Sequence, residues 1–334
     1  MENNRNFRTF EEVFNSTFHN RVSFDDFVNG SINTEYSIVK FKNKSIYSPS
    51  LNLKKIQRFL NKSILEYALT NERVVFSYRK GASVRDAVEV HSKSKYFFQT
   101  DIKNFFGQIK KDVVENIIGT QLGCVPIIDI EEYHDVLLRY LIVDGHVPIG
   151  FSTSPIISNL SLFYFDNDLE EYCLKNDFKY TRYADDIIIS STDYEIDLHK
   201  TKSLIKSFLL RNNFVGELIN DKKTRIQVRN GVIKLLGFNI LLDGTVTIPS
   251  KDKKEVEIML NFYLNDKSKF DDYVSKLKTR SGRLSEGKSL RENGISSLSG
   301  RIIGINAMDK KYIGKLKSKY GNAVIEMFLR KTVK

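Results

Sequence analysis

The segment TRYADDIIISS (Thr181–Ser191) places β-branched and aromatic residues on both sides of two adjacent aspartates. That pattern predicts a β-hairpin whose tip carries the carboxylates. Asp185 and Asp186, forced beside a buried strand, repel one another and lose hydration. A bound divalent cation is the usual way to offset that cost. Two other Asp-Asp pairs, Asp25–Asp26 in FDDF and Asp271–Asp272 in FDDY, fall within helical patterns and read as surface charge. A further acid, Asp101, ends the apolar run YFFQTDI (Tyr96–Ile102) in the same manner. If the two strands are neighbours in one sheet, Asp101 and Asp185 converge. Two metal ions held about 3.5–4 Å apart by such acids can activate an attacking hydroxyl and stabilise a leaving pyrophosphate. Hard oxygen ligands favour Mg²⁺. The competing reading of Asp101 is a buried structural acid.

Composition narrows the setting. The 334 residues fit two or three lobes sharing a core. Hydrophobic residues at 41% and aromatics at 12% exclude global disorder. Cys124 and Cys173 stand far apart, which argues against a disulfide framework or a structural zinc site and fits a reducing compartment. The opening MENNRNFRTFEEVF carries acids and no apolar core, unlike a secretory signal. The longest stretch free of Asp, Glu, Lys and Arg, Gly145–Phe165, is broken by Pro148, Gly150, Pro155 and several serines, so it is no membrane span. The expectation is a soluble, cytoplasmic protein with no membrane partner. The 52 Lys+Arg against 41 Asp+Glu give +11, which suggests a polyanionic partner. Residues 251–334 hold 20 basic and 10 acidic residues, nearly the whole surplus, on helical apolar spacing. The polyanion is expected there; the alternative is a solvated helical surface.

Along the chain, the first 60 residues or so read as mainly helical, on spacings such as LNLKKIQRFLNKSILEYAL. Val74–Tyr78 is a short β-like run before the basic RKGASVRDAV, and NFFGQIKKDVVENIIG reads as a turn into a helix. SPIISNLSLFYFDNDLEEYCLKN reads as one long helix, with Ser154 as N-cap and Pro155 as first helical residue. A helix is expected over 196–212, and short strands near 224–228, 233–240 and 246–248.

Six motifs then occur in order over residues 73–240. RYADDIIIS (Arg182–Ser190) resembles the YxDD motif of reverse transcriptases, and QTDIKNFF (Gln99–Phe106) their first catalytic motif. PIGFSTSPIISNL (Pro148–Leu160) resembles the motif between them, SYRKGASVRDAV the fingers segment of retron-type bacterial enzymes, and NDKKTRI with LLGFNI the later palm motifs. On these residues the chain is similar to bacterial reverse transcriptases of the retron-like, abortive-infection and defence-associated group.

The resemblance implies an α+β right-hand polymerase: fingers, a ferredoxin-like antiparallel palm and a helical thumb. Its expected divisions are 1–95 (N-terminal helices and fingers), 96–250 (palm, with fingers elements interleaved at about 107–147) and 251–334 (basic thumb). It implies RNA-directed DNA polymerase activity, with two Mg²⁺ (or Mn²⁺) on Asp101, Asp185, Asp186 and the backbone carbonyl of Ile102. Lys223, or its neighbour Lys222, matches the lysine that protonates the leaving pyrophosphate. Arg79, Lys80 and Arg85 are candidates for the triphosphate, with no choice among them. Phe106 matches the steric gate, or is a core phenylalanine. Ile149 and Gly150 would border the nucleotide. Tyr183 and Ala184 would border the primer end, and Leu236, Gly237 and Phe238 would grip its backbone or form a buried strand.

Ile149 stands where most reverse transcriptases have Gln, a departure similar to abortive-infection enzymes. LLGF lacks the VTG usual in retron enzymes, and Thr153–Pro155 departs from the SQ of diversity-generating ones. The implied partners are an RNA template, expected to be a non-coding RNA, together with dNTPs and the DNA product. A homo-oligomer or a partner defence protein also fits. The leading expectation is RNA-templated DNA synthesis in antiphage defence. The alternatives are template-independent or protein-primed synthesis, and a catalytically silent RNA-binding scaffold.

Overall fold

The structure, a computed structural model, describes residues 7–41, 44–281 and 289–332. The remaining parts of the expected 1–95 and 251–334 segments lie outside the described residues. The chain divides into two compact units: residues 1–82 with 93–228, and residues 83–92 with 229–334.

The first unit opens with helices α1 (Phe10–Phe18) and α2 (Phe24–Asn29). Thr9 and Glu12 form a capping box at the start of α1, and Ser23 caps α2. The hairpin β1 (Tyr36–Phe41) and β2 (Lys44–Pro49) follows, then α3 (Leu51–Ser63). This hairpin corrects the expectation of a mainly helical N-terminus. Its first strand is exposed along nearly its whole length, so no inward face marks it in the sequence. Phe10, Phe14, Phe27 and Phe59 interlock at centroid distances of 4.8–5.9 Å, which ties α1, α2 and α3 into one apolar wedge.

In the second unit lies α4 (Val84–Glu89), capped by Ser83. The first resumes with β3 (Tyr96–Asp101), α5 (Phe105–Gln108), α6 (Lys111–Gln121), α7 (His134–Leu141), α8 (Ser154–Leu160) and α9 (Phe163–Lys175). The long helix expected over 154–176 is therefore two helices, parted at Ser161–Leu162. Thr153, not Ser154, stands at the N-cap, because the Ser154 hydroxyl donates instead to the Pro148 carbonyl (2.6 Å). The first unit then runs through β4 (Lys179–Tyr183), β5 (Asp186–Ser191), α10 (Leu198–Arg211) and β6 (Arg225–Val228). Val74–Tyr78 forms no strand; Val75 makes a single parallel bridge to Arg182.

The central sheet has the order β4-β5-β3-β6, with every neighbouring pair antiparallel. Phe97, Phe98, Ile187 and Ile189 are buried within it, and Phe165, Leu169, Ile205 and Leu209 come from α9 and α10. The four strands and two long helices fit the expected ferredoxin-like palm.

The second unit holds a meander of β7 (Ile233–Leu235), β8 (Phe238–Ile240) and β9 (Val246–Thr247). Helices α11 (Ser250–Asn265), α12 (Lys267–Ser281), α13 (Leu290–Met308), α14 (Lys310–Tyr320) and α15 (Asn322–Leu329) complete it. Its core includes Met259, Leu260, Phe270, Leu298, Ile302, Leu316 and Phe328. The hairpin of LLGF falls within this second unit, together with the C-terminal helices. Among the described residues, no helix is long and apolar enough to cross a membrane.

Candidate active site

Strand register decides the site. Asp101, the last residue of β3, pairs with Asp186, the first residue of β5. The β4–β5 hairpin closes through the two-residue loop Ala184–Asp185, with Tyr183 paired to Asp186. The Ile102 N–H donates to the Asp185 carbonyl (2.9 Å), joining the end of β3 to the hairpin tip. Acids 84 residues apart in sequence therefore share one end of one sheet, because β3 and β5 are neighbours in it.

Lys223 comes from the turn before β6. The Asn220 N–H donates to the Asp101 carbonyl (2.9 Å) and the Lys223 N–H to the Asn220 carbonyl (3.0 Å). This brings the Lys223 ammonium to 2.6 Å from Asp101 Oδ2. That bond, with the Asp185 and Asp186 charges nearby, raises the Lys223 pKa.

Burial, then the neighbouring Asp185 carboxylate, pushes the Asp186 carboxyl up to about 6. Asp185 is raised too, first by burial, while Lys223 and Lys44 of β2 oppose the rise. Because the folded Asp186 binds its proton more tightly than the unfolded chain does, metal-free stability falls as pH rises from about 4 to 6. Melting in EDTA across that window should show wild type losing ground against Asp186→Asn. An unchanged difference between the two would sink this account.

The donor set fits a hard divalent cation. Asp101 is buried, and its Oδ1 has no hydrogen-bond partner; two further carboxylates crowd the same end of the sheet. Among the described residues, no group of three such side chains stands in ligating geometry. Lys223 Nζ instead holds an Asp101 oxygen, a cation where a metal would need that oxygen free.

The remaining expected residues separate. Arg79 donates to the Val75 and Glu72 carbonyls (2.7 and 2.6 Å) and pairs with the Glu72 carboxylate. Lys80 pairs with Glu66 (2.9 Å). Both line a cavity of about 250 Å³ with Tyr78, Ile156 and Asn159. Arg85 lies instead in the second unit, bonded to Glu89 and the Met308 carbonyl. Phe106 is half-buried, its ring 5.5 Å from that of Phe105. The Ile149 carbonyl accepts from the Tyr47 N–H (2.8 Å). Leu236 and Gly237 are the turn of the β7–β8 hairpin, at φ 48° and 84°, and Phe238 is buried. Two positive φ values at a two-residue turn are the hairpin geometry that glycine favours.

Residues 41–240 match the family described as "Reverse transcriptase (RNA-dependent DNA polymerase)", three-fifths of the chain. The chain belongs to the reverse transcriptase family. It is an RNA-directed DNA polymerase by that membership. The Escherichia coli retron Ec83 reverse transcriptase is 25% identical over 91% of this chain and 92% of its own length. The retron Ec73 enzyme of the same organism is 27% identical over 83% of each. This reverse transcriptase is thus similar to retron enzymes along most of its length, despite the LLGF departure. Among solved structures, apo telomerase from Candida tropicalis aligns with 83% of this chain and 58% of its own, at 13% identity and a TM-score of 0.43.

Sequence reasoning missed Lys44, whose charge reaches Asp185 from the β1–β2 hairpin, and Tyr78, whose hydroxyl pKa is raised by burial and then by Asp185. Neither leaves a local signal, since each depends on a segment distant in the chain. It also assigned no role to Arg182 or Asp166, an ion pair with no solvent exposure. An arginine between Thr181 and Tyr183, just before the paired aspartates, and an aspartate directly after Phe163, Tyr164 and Phe165 were the available signs.

Proposed function

We propose that this reverse transcriptase adds dNTPs to a 3′-OH along an RNA template, with Asp101, Asp185, Asp186 and the Ile102 carbonyl holding two Mg²⁺. The pairing of Asp101 with Asp186, beside an unpartnered Asp101 oxygen, carries this reading. Bound there, the ions would lower the pKa of the attacking hydroxyl and neutralise charge on the leaving group.

The chain's own residues do the rest. Lys223 is charged at neutral pH and lies beside Asp101, so it can give a proton to the departing pyrophosphate. Lys44, Arg79 and Lys80 are basic groups of the same unit suited to the triphosphate. Ile149 and Gly150 border the nucleotide. Tyr183 and Ala184 meet the primer end, and the turn at Leu236–Phe238 supports its backbone. The lysines of the second unit hold the duplex through its phosphates.

Phe106 serves as the gate against ribose. Phe106→Ala should reduce the preference for dNTP over rNTP roughly 10–100-fold, a steric discrimination of the size one pocket contact supplies. Competitive single-nucleotide incorporation reads it. Unchanged preference would make Phe106 a packing residue only.

A dedicated non-coding RNA as template, and antiphage defence as the setting, complete the proposal. They rest on the likeness to retron and defence-associated enzymes. Purified protein with primer, RNA template, dNTPs and Mg²⁺ should extend DNA, and sequencing its co-purifying nucleic acid before and after dNTP addition should reveal one RNA species and its complementary DNA. Ile149 in place of Gln favours a second reading, template-independent or protein-primed synthesis. Product from nuclease-treated protein without added template would select it.

A further inference from the structure

Ala184 stands at φ 54°, in the left-handed region, at the first position of the loop that carries Asp185. A two-residue hairpin with a single positive φ there normally takes glycine, so this side chain is held in a strained backbone. One guanidinium holds it. Arg182 Nη1 donates to the Ala184 carbonyl (2.9 Å) and to Asn159 Oδ1 (3.2 Å). Nε and Nη2 of the same group bind both oxygens of Asp166 (2.8 and 2.6 Å). The Tyr180 hydroxyl donates to Asp166 Oδ1 (2.7 Å), which leaves the carboxylate little freedom.

The network continues away from the turn. Asn159, on α8, donates to the Ser77 carbonyl (2.8 Å) and accepts from its hydroxyl (3.2 Å). The backbone of Arg182 bonds to Val74 and Phe76 (2.8 and 3.0 Å). Arg182 therefore joins four pieces of chain: the turn bearing the aspartates, α8, α9, and the 74–77 segment that leads into Tyr78, Arg79 and Lys80.

Stability alone does not account for this arrangement. A buried ion pair is often no more stabilising than an apolar pair of the same volume. What only the guanidinium fork supplies is a directed donor to the Ala184 carbonyl while it stays bidentate on Asp166. With the Asp185 carbonyl held by Ile102, the peptides on both sides of Asp185 are pinned.

We infer that Arg182, anchored by Asp166 and Asn159, is a positioning residue that fixes the Asp185–Asp186 turn relative to the 74–80 segment. The inference rests on the proposed catalytic role of those two aspartates.

The test compares Arg182→Lys, a paired Arg182→Met/Asp166→Leu variant, Asp185→Asn and wild type in single-nucleotide incorporation, with amide hydrogen exchange and melting on each. A misplacement of the reacting groups costs about 10²-fold in rate. Both Arg182 variants should therefore lose about that much kcat with primer–template affinity unchanged. Exchange should rise in peptides covering 183–187 and stay unchanged in α6. The paired variant, free of any unbalanced buried charge, should melt cooperatively.

Wild-type kcat and exchange in the folded paired variant would overturn the inference. If that variant does not fold, Arg182→Lys, which keeps the buried charge, decides by the same two readouts. Activity surviving in Asp185→Asn would instead overturn the reading of the catalytic aspartates.

Discussion

Asp185→Asn is expected to abolish DNA synthesis while leaving the protein folded and slightly more stable in the absence of metal. Asparagine keeps the shape of the side chain, and the Asp185 carbonyl that accepts from Ile102 belongs to the backbone. The charge is what disappears. A metal pair lacking one of its carboxylates loses several kcal/mol of transition-state stabilisation, a rate loss on the order of 10³-fold or more. Stability moves the other way, because Asp186 sits beside Asp185 and is pushed up to about 6 partly by it. Without that neighbour its carboxyl falls back toward the ordinary carboxylate range, and the cost of ionising it in the folded state shrinks. Primer extension and melting at pH 8 in EDTA measure the two effects together. Retained extension would end the two-metal proposal at this site, whereas lost extension with lost folding would say nothing for it.

Gly150→Ala should be strongly damaging although it adds a single methyl group. Gly150 has φ 115°, and a Cβ there would come within 2.2 Å of the Tyr47 carbonyl oxygen. The adjoining Ile149 carbonyl accepts from the Tyr47 N–H (2.8 Å), and the Tyr47 hydroxyl bonds to Asp144 (3.1 Å). These contacts fasten β2 to the segment that borders the proposed nucleotide site. The strained backbone and the broken bond together cost at least about 2 kcal/mol. The added clash can be relieved only by moving β2 away, and with it Lys44, whose charge reaches Asp185. Melting should show the stability loss, and steady-state kinetics should show KM for dNTP rising more than kcat falls. A stable variant with unchanged KM would show that β2 does not frame the nucleotide.

Much of the site was readable from local patterns. The hairpin at 181–191 announced itself because β-branched residues flank two acids, and a tight turn is the one conformation that leaves both acids at an edge. The end of β3 at Asp101 followed from a run of aromatic residues that stops at a charge. By contrast, β1 was invisible: Ile38, Val39 and Phe41 are all exposed, so no alternation of buried and exposed positions marks the strand. The break between α8 and α9 escaped because neither Ser161 nor Leu162 is a helix breaker. That the LLGF hairpin shares a compact unit with the C-terminal helices depends on packing, which the motif order does not record.

From the sequence alone came the identities and order of the chemical groups, and the local shape around each, because backbone preferences act over a few neighbouring residues. Only the tertiary structure decided that Asp101 faces Asp186, that Lys223 holds Asp101, and that Arg182 is satisfied by Asp166 and Asn159. Those distances depend on strand register and helix packing. A change of one residue in the register would turn every side chain of the strand to its other face, and no local pattern records which partner a buried charge will find.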